Sequence, residues 1–97
     1  MKTLNEVKII LSAHREELSD RFRVKKVGIF GSYVRGEQKR DSDLDVLVEF
    51  NEPVSLLGVA KVENFLCDLL DVKVDVVPKK DIRPELRKTI LSETVFV

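Results

Sequence analysis

Cysteine is almost missing from this chain. Cys67 stands alone, so no disulfide can close within the sequence. It lies in an apolar helical run and reads as buried packing rather than as a reactive thiol. Long hydrophobic runs are missing as well: nothing approaches the ~20 apolar residues of a membrane-spanning helix. Residues 1–20 are charged and amphipathic, unlike a secretory leader, so a cytoplasmic protein with no membrane contact is expected. Neither charge sign is in excess. The 17 basic and 17 acidic side chains cancel, leaving no global field to hold a long nucleic acid. Without repeats, low-complexity tracts or a dividing linker, the 97 residues are expected to form one domain (1–97), with a small core drawn from 43% apolar residues.

What is present concentrates in GSYVRGEQKRDSDLDVLV, from Gly31 to Val48. Asp43 and Asp45 are two apart at the start of an alternating run, and on a strand that spacing puts both on one face. Leu44, Val46, Val48 and Phe50 form a core face, leaving Asp43, Asp45, Leu47 and Glu49 on the other. At ~3.3 Å rise per residue the two carboxylates stand roughly 6–7 Å apart. Their mutual repulsion favours a cation between them, and oxygen ligands suit Mg²⁺ or Mn²⁺. A solvated, charged strand start reads equally well from the pair alone. Gly31-Ser32 tips the balance. A strand over 24–30, a glycine and a short helix over about 32–37, with Ser32 as N-cap and Gly36 at its C-terminal end, would present free N–H groups to phosphate.

Rival motifs fit less well. Gly31 and Gly36 have the spacing of a P-loop, but Glu37-Gln38 replaces its Lys and Ser/Thr. Asp41, Asp43, Asp45 and Glu52 match ligand positions of an EF-hand. Val46, however, sits where its turn needs glycine, and Pro53 falls in its exiting helix.

Gly31-Ser32, ten residues, then Asp43-x-Asp45 resembles the signature of the DNA polymerase β-type nucleotidyltransferase superfamily. With Arg35, Gly36 and Ser42 also in place, the chain from about Val24 to Val97 looks like a minimal nucleotidyltransferase, the antitoxin partner of HEPN toxins. The resemblance implies metal binding by Asp43, Asp45 and Asp75 and nucleotide binding by Gly31 and Ser32. It also implies two Mg²⁺ (or Mn²⁺) ions, ATP as substrate, and transfer of AMP to a tyrosine hydroxyl of a HEPN partner with release of pyrophosphate. Little of the chain is left to hold an acceptor, so the acceptor is expected on another protein. The competing expectation is a non-catalytic module that masks such a partner by contact, its nucleotide site vestigial.

The rest of the chain supports this site. Leu4, Val7, Leu11, His14 and Leu18 predict one amphipathic helix over 5–21, with His14 packed or at the surface. Ser55 caps a helix that ends near Asp71 and carries Leu56, Val59, Val62, Phe65, Leu66, Leu69 and Leu70 on its core face. A third strand over 72–77 stops at Pro78. A helix over 81–92 has Pro84 in its first turn and a basic side of Arg83, Arg87 and Lys88. A weak strand follows over 93–97. Strands one and two must meet the same triphosphate and should run antiparallel. The long helix permits a parallel crossover between strands two and three, which brings Asp75 beside Asp45. An α+β fold is expected: a small mixed sheet flanked by helices. Arg35 has two readings, a phosphate contact or a salt bridge that orients an aspartate. Lys39 and Arg40 read as solvated loop charges, with a triphosphate contact as the lesser alternative.

Overall fold

The computed structural model describes residues 2–97. Four strands form one mixed sheet in the order β3-β2-β1-β4, where β1 is Val24–Phe30, β2 Leu44–Phe50, β3 Val74–Pro78 and β4 Val95–Phe96. Both expected pairings are present: β2 runs antiparallel to β1 and parallel to β3. The register of β1 slips between Val24 and Lys26. This bulge is why Lys25 and Lys26 are both exposed although consecutive strand residues normally alternate.

One face of the sheet carries the core. Val27, Ile29, Val46, Val48, Val74 and Val76 pack there against Val7, Leu11 and Leu18 of the N-terminal helices and Val62, Leu66 and Leu70 of α4 (Leu56–Leu70). The Ser55 hydroxyl accepts from the Gly58 N–H at 3.2 Å and caps α4, while Asp71 ends it in the left-handed conformation. That turn uses up the residues after the helix, so β3 begins at Val74 rather than Val72. It also includes Pro78, which an edge strand tolerates. The outer edge of β3 is closed by α4 itself: Val74 N–H donates to Cys67 Sγ at 3.3 Å and Val76 N–H to Glu63 Oε2 at 3.1 Å. Cys67 is thus half-buried packing with a hydrogen-bonding task.

Four expectations need correction. The N-terminal helix is two helices, α1 (Leu4–Ala13) and α2 (Arg15–Phe22). The His14 ring Nδ1 donates to the Ile10 carbonyl at 2.9 Å, and the His14 N–H shifts to Leu11 O at 3.1 Å, which breaks the regular ladder. Leu56 is 87% exposed, because it sits in the first turn of α4, outside the packed stretch. Leu47, assigned to the polar face, is buried between Gly28 and Val77, its neighbours across the sheet, and lies apart from the main core, as does Ile82. The last helix, α5, runs Pro84–Glu93 after a 3-10 turn at Lys79–Asp81, so Glu93 closes the helix rather than opening the final strand.

Position 66 separates core from surface on α4. Leu66→Ala, at a fully buried site, should cost about 2–5 kcal/mol in denaturant unfolding. Leu56→Ser should stay within about 0.5 kcal/mol. Equal losses at both positions would contradict the packing described.

Candidate functional site

The site forms where β1 ends and β2 begins. Antiparallel register puts Phe30 opposite Asp45, so Gly31 lies directly beside the Asp45 side chain. Gly31 has φ +82 and ψ −151, a combination open in practice to glycine alone. A Cβ built there would strike the Asp45 carboxylate, with Asp45 Cγ at 3.1 Å. Glycine is therefore required twice, by its backbone conformation and by the carboxylate against it.

From Gly31 the chain enters α3 (Ser32–Arg35), anchored by Tyr33, which is 3% exposed. Burial pushes the Tyr33 phenol up. Gly36, in the left-handed conformation, ends the helix. The following loop closes on itself: the Lys39 N–H donates to Ser42 Oγ at 2.8 Å and the Ser42 N–H to Lys39 O at 3.0 Å. This small closure delivers Asp43 to the mouth of β2. Lys39 and Arg40 are exposed on it.

Parallel pairing places Asp75 of β3 in register with Asp45, strand neighbours about 4.8 Å apart. The three expected carboxylates thus share one end of the sheet, graded in exposure: Asp45 and Asp43 are partly buried, Asp75 open. Burial raises the Asp45 pKa above its ordinary value, the negative charges of Asp75 and Asp43 raise it further, and the Arg35 charge offsets part of this. The cluster holds an unresolved repulsion.

A divalent cation would relieve that repulsion, and an all-oxygen donor set suits a hard ion. Among the described residues no group of three or more His, Cys, Asp or Glu side chains is placed to hold a metal ion. Mg²⁺ is usually held by one or two carboxylates and completed by substrate phosphates and water, and Asp45, crowded by Asp75 and Asp43, offers such a foothold. The residues present fit such an ion.

Three details differ from the sequence reading. Ser32 is the first helical residue rather than the N-cap. Gly31 takes the cap position, and no side chain caps the helix. The Gly31 N–H is already engaged, donating to Glu93 Oε1 at 3.0 Å. The N–H groups that open α3 ahead of any in-helix acceptor are those of Ser32 and Tyr33. Arg35 pairs with no aspartate: its Nε donates to Glu37 and its Nη1 to Glu93 Oε1, both at 2.6 Å. Glu93 is the residue that sequence reasoning missed. It lies 62 positions from Gly31, and no local pattern marks it.

A model of the nucleotidyltransferase domain family matches residues 11–97. The protein adenylyltransferase MntA of Thermococcus cleftensis is 50% identical over 97 residues, spanning 100% of this chain and 98% of that protein. A solved structure assigned as a minimal nucleotidyltransferase has TM-score 0.81 at 37% identity, covering 97% of this chain and 95% of that one. A chain from the complex of tri-AMPylated Shewanella oneidensis HEPN toxin with MNT antitoxin shares the fold. Its TM-score is 0.69 at 18% identity, covering 93% of this chain and 70% of that one.

The crowded Asp45 carboxyl predicts a pH signature. A carboxyl whose folded pKa lies above its unfolded one makes the folded state bind more protons, so stability falls as pH rises between the two values. Asp45→Asn removes that penalty. In chelator, its melting temperature should approach wild type only well below the unfolded-state value of about 3.9, where Asp45 is protonated in both states, and exceed it at pH 7. A difference between the two proteins that ignores pH would contradict the described electrostatics.

Proposed function

The chain belongs to the nucleotidyltransferase domain family, and from that premise we propose that it is a metal-dependent protein adenylyltransferase. In this reading it moves AMP from ATP to a tyrosine hydroxyl on a HEPN toxin and so acts as the antitoxin. The observation that carries the reading is the register that sets Asp45 against Gly31 on one side and beside Asp75 on the other. A phosphate-binding turn and a carboxylate cluster then meet at one point, as transfer of a nucleotidyl group requires. The 50%-identical adenylyltransferase supports the reaction class, and the toxin–antitoxin complex of like fold supports the kind of partner.

Each residue has a proposed task. The N–H groups of Ser32 and Tyr33 hold phosphate oxygens, with the Ser32 hydroxyl adding one bond and Arg35 adding positive charge. Asp43, Asp45 and Asp75 would hold the metal. Two Mg²⁺ or Mn²⁺ ions there would supply charge neutralisation for the triphosphate and acidify the acceptor hydroxyl. Asp75, the most exposed of the three, faces the incoming acceptor and takes up the hydroxyl proton. The acceptor oxygen attacks the α-phosphorus, the bond to the α,β-bridging oxygen breaks, and pyrophosphate leaves with that electron pair.

Incubating the chain with α-labelled ATP, Mg²⁺ and a HEPN partner should label the partner on tyrosine. Asp75→Asn should leave ATP·Mg²⁺ affinity close to wild type in calorimetry, since Asp43 and Asp45 remain. Its transfer rate should fall on the order of 10²–10⁴-fold with the loss of the group that receives the proton. Near-normal transfer by Asp75→Asn would contradict its assigned role, and an unlabelled partner with wild type would contradict the reaction.

A further inference from the structure

We propose that Glu93 is a positioning residue for the nucleotide site: its carboxylate locks the Gly31 turn and the Arg35 guanidinium into one unit that presents α3 to the triphosphate. The inference rests on the adenylyl-transfer reading above and goes beyond it, because Glu93 lies outside the motif that carries that reading.

The sheet explains why a side chain from so far along the chain arrives here. β1 lies between β2 and β4, and its pairing with β4 covers Gly28 and Ile29, opposite Phe96 and Val95. Gly31 extends past that short ladder, and its N–H has no strand acceptor there. Glu93, the last residue of α5, supplies one through its side chain at 3.0 Å. The same oxygen, Oε1, accepts from Arg35 Nη1 at 2.6 Å. One oxygen therefore joins the strand end, the short helix and the C-terminal helix.

The bond to Gly31 falls where the chain is least constrained by its own residue type. Glycine reaches φ +82 at low cost but reaches other conformations as easily, so its surroundings must select this one. Asp45 presses on the turn from one side and Glu93 holds its N–H from the other. Without Glu93 the turn is free to relax, and the first amides of α3 lose their fixed direction. Arg35 is affected as well. Its side chain is 51% exposed and that of Glu93 21%, so the more buried anion anchors the more exposed cation. A guanidinium has five donors, and two are used on Glu37 and Glu93. The others remain for a phosphate, held in place by the first two. Arg35, shared between Glu37 and Glu93, offsets only part of the negative charge that Glu93 brings beside the triphosphate site.

The test uses a non-hydrolysable ATP analogue with Mg²⁺, titrated calorimetrically well below the melting temperature of each variant. Glu93→Ala should lose about tenfold or more in affinity, as expected for charge-assisted bonds. Glu93→Gln keeps an acceptor oxygen but not the charge, and should recover part of the loss. Arg35→Ala combined with Glu93→Ala should bind no more weakly than Glu93→Ala alone, because the two act as one unit. A strut that merely stabilised the fold would lower the melting temperature of Glu93→Ala and leave affinity unchanged. Wild-type affinity in folded Glu93→Ala, or fully additive losses in the double variant, would overturn the proposal. If Glu93→Ala does not fold, Glu93→Gln decides: a several-fold loss is expected, and wild-type affinity overturns the role. Failure of wild type itself to bind the analogue sinks the adenylyl-transfer reading together with this role. Equal tight binding by wild type and Glu93→Ala sinks this role alone.

Discussion

No side chain fits between the end of β1 and the Asp45 carboxylate. That close approach is the constraint from which the rest of the site follows. It requires glycine at position 31 and a backbone conformation that only glycine adopts at low cost. It requires β1 and β2 to pair antiparallel, so that a strand end and a strand start coincide. It also leaves Asp45 partly stripped of water beside two further carboxylates, a state whose repulsion a bound cation would relieve.

The supporting structure serves this junction by covering one face of the sheet and leaving one end open. α1, α2 and α4 bury the valines and leucines of the opposite face, and α4 also closes the outer edge of β3 through Cys67 and Glu63. The three aspartates are then graded from half-buried to open. A buried carboxylate is held rigidly and an exposed one is reachable, which matches the proposed division between holding metal and meeting an acceptor. On the far side of the junction, Glu93 ties α5 to the same turn, so the C-terminal part of the chain takes part in the site.

Much of this was legible in the sequence because it is carried by local pattern. Val24–Phe30 is a strand with the expected ends, Ser55 does cap its helix, and alternation in β2 and β3, together with the parallel crossover that the long helix permits, brought Asp45 and Asp75 together. The unexpected features are tertiary. The break at His14 comes from a ring nitrogen competing for a carbonyl, and helical periodicity does not register such competition. The alternation that puts Leu47 on the face away from the main core is correct, but alternation does not tell whether that face is covered, and at Leu47 it is. Ser32 has the composition of an N-cap, yet the cap is Gly31, because the turn needs its conformation. Glu93 was invisible for the simplest reason: its partners are 58 and 62 residues away.

The central claim is that a divalent ion and a nucleotide meet at the junction of Gly31, Asp43, Asp45 and Asp75. Paramagnetic Mn²⁺ added with a non-hydrolysable ATP analogue would report on it directly, through selective broadening of backbone amide signals in the NMR spectrum. The account predicts that the amides of Ser32, Asp43, Asp45 and Asp75 broaden first, while those of α1 and the far end of β2 stay sharp. Broadening centred elsewhere, or uniform weak broadening without a focus, would contradict it.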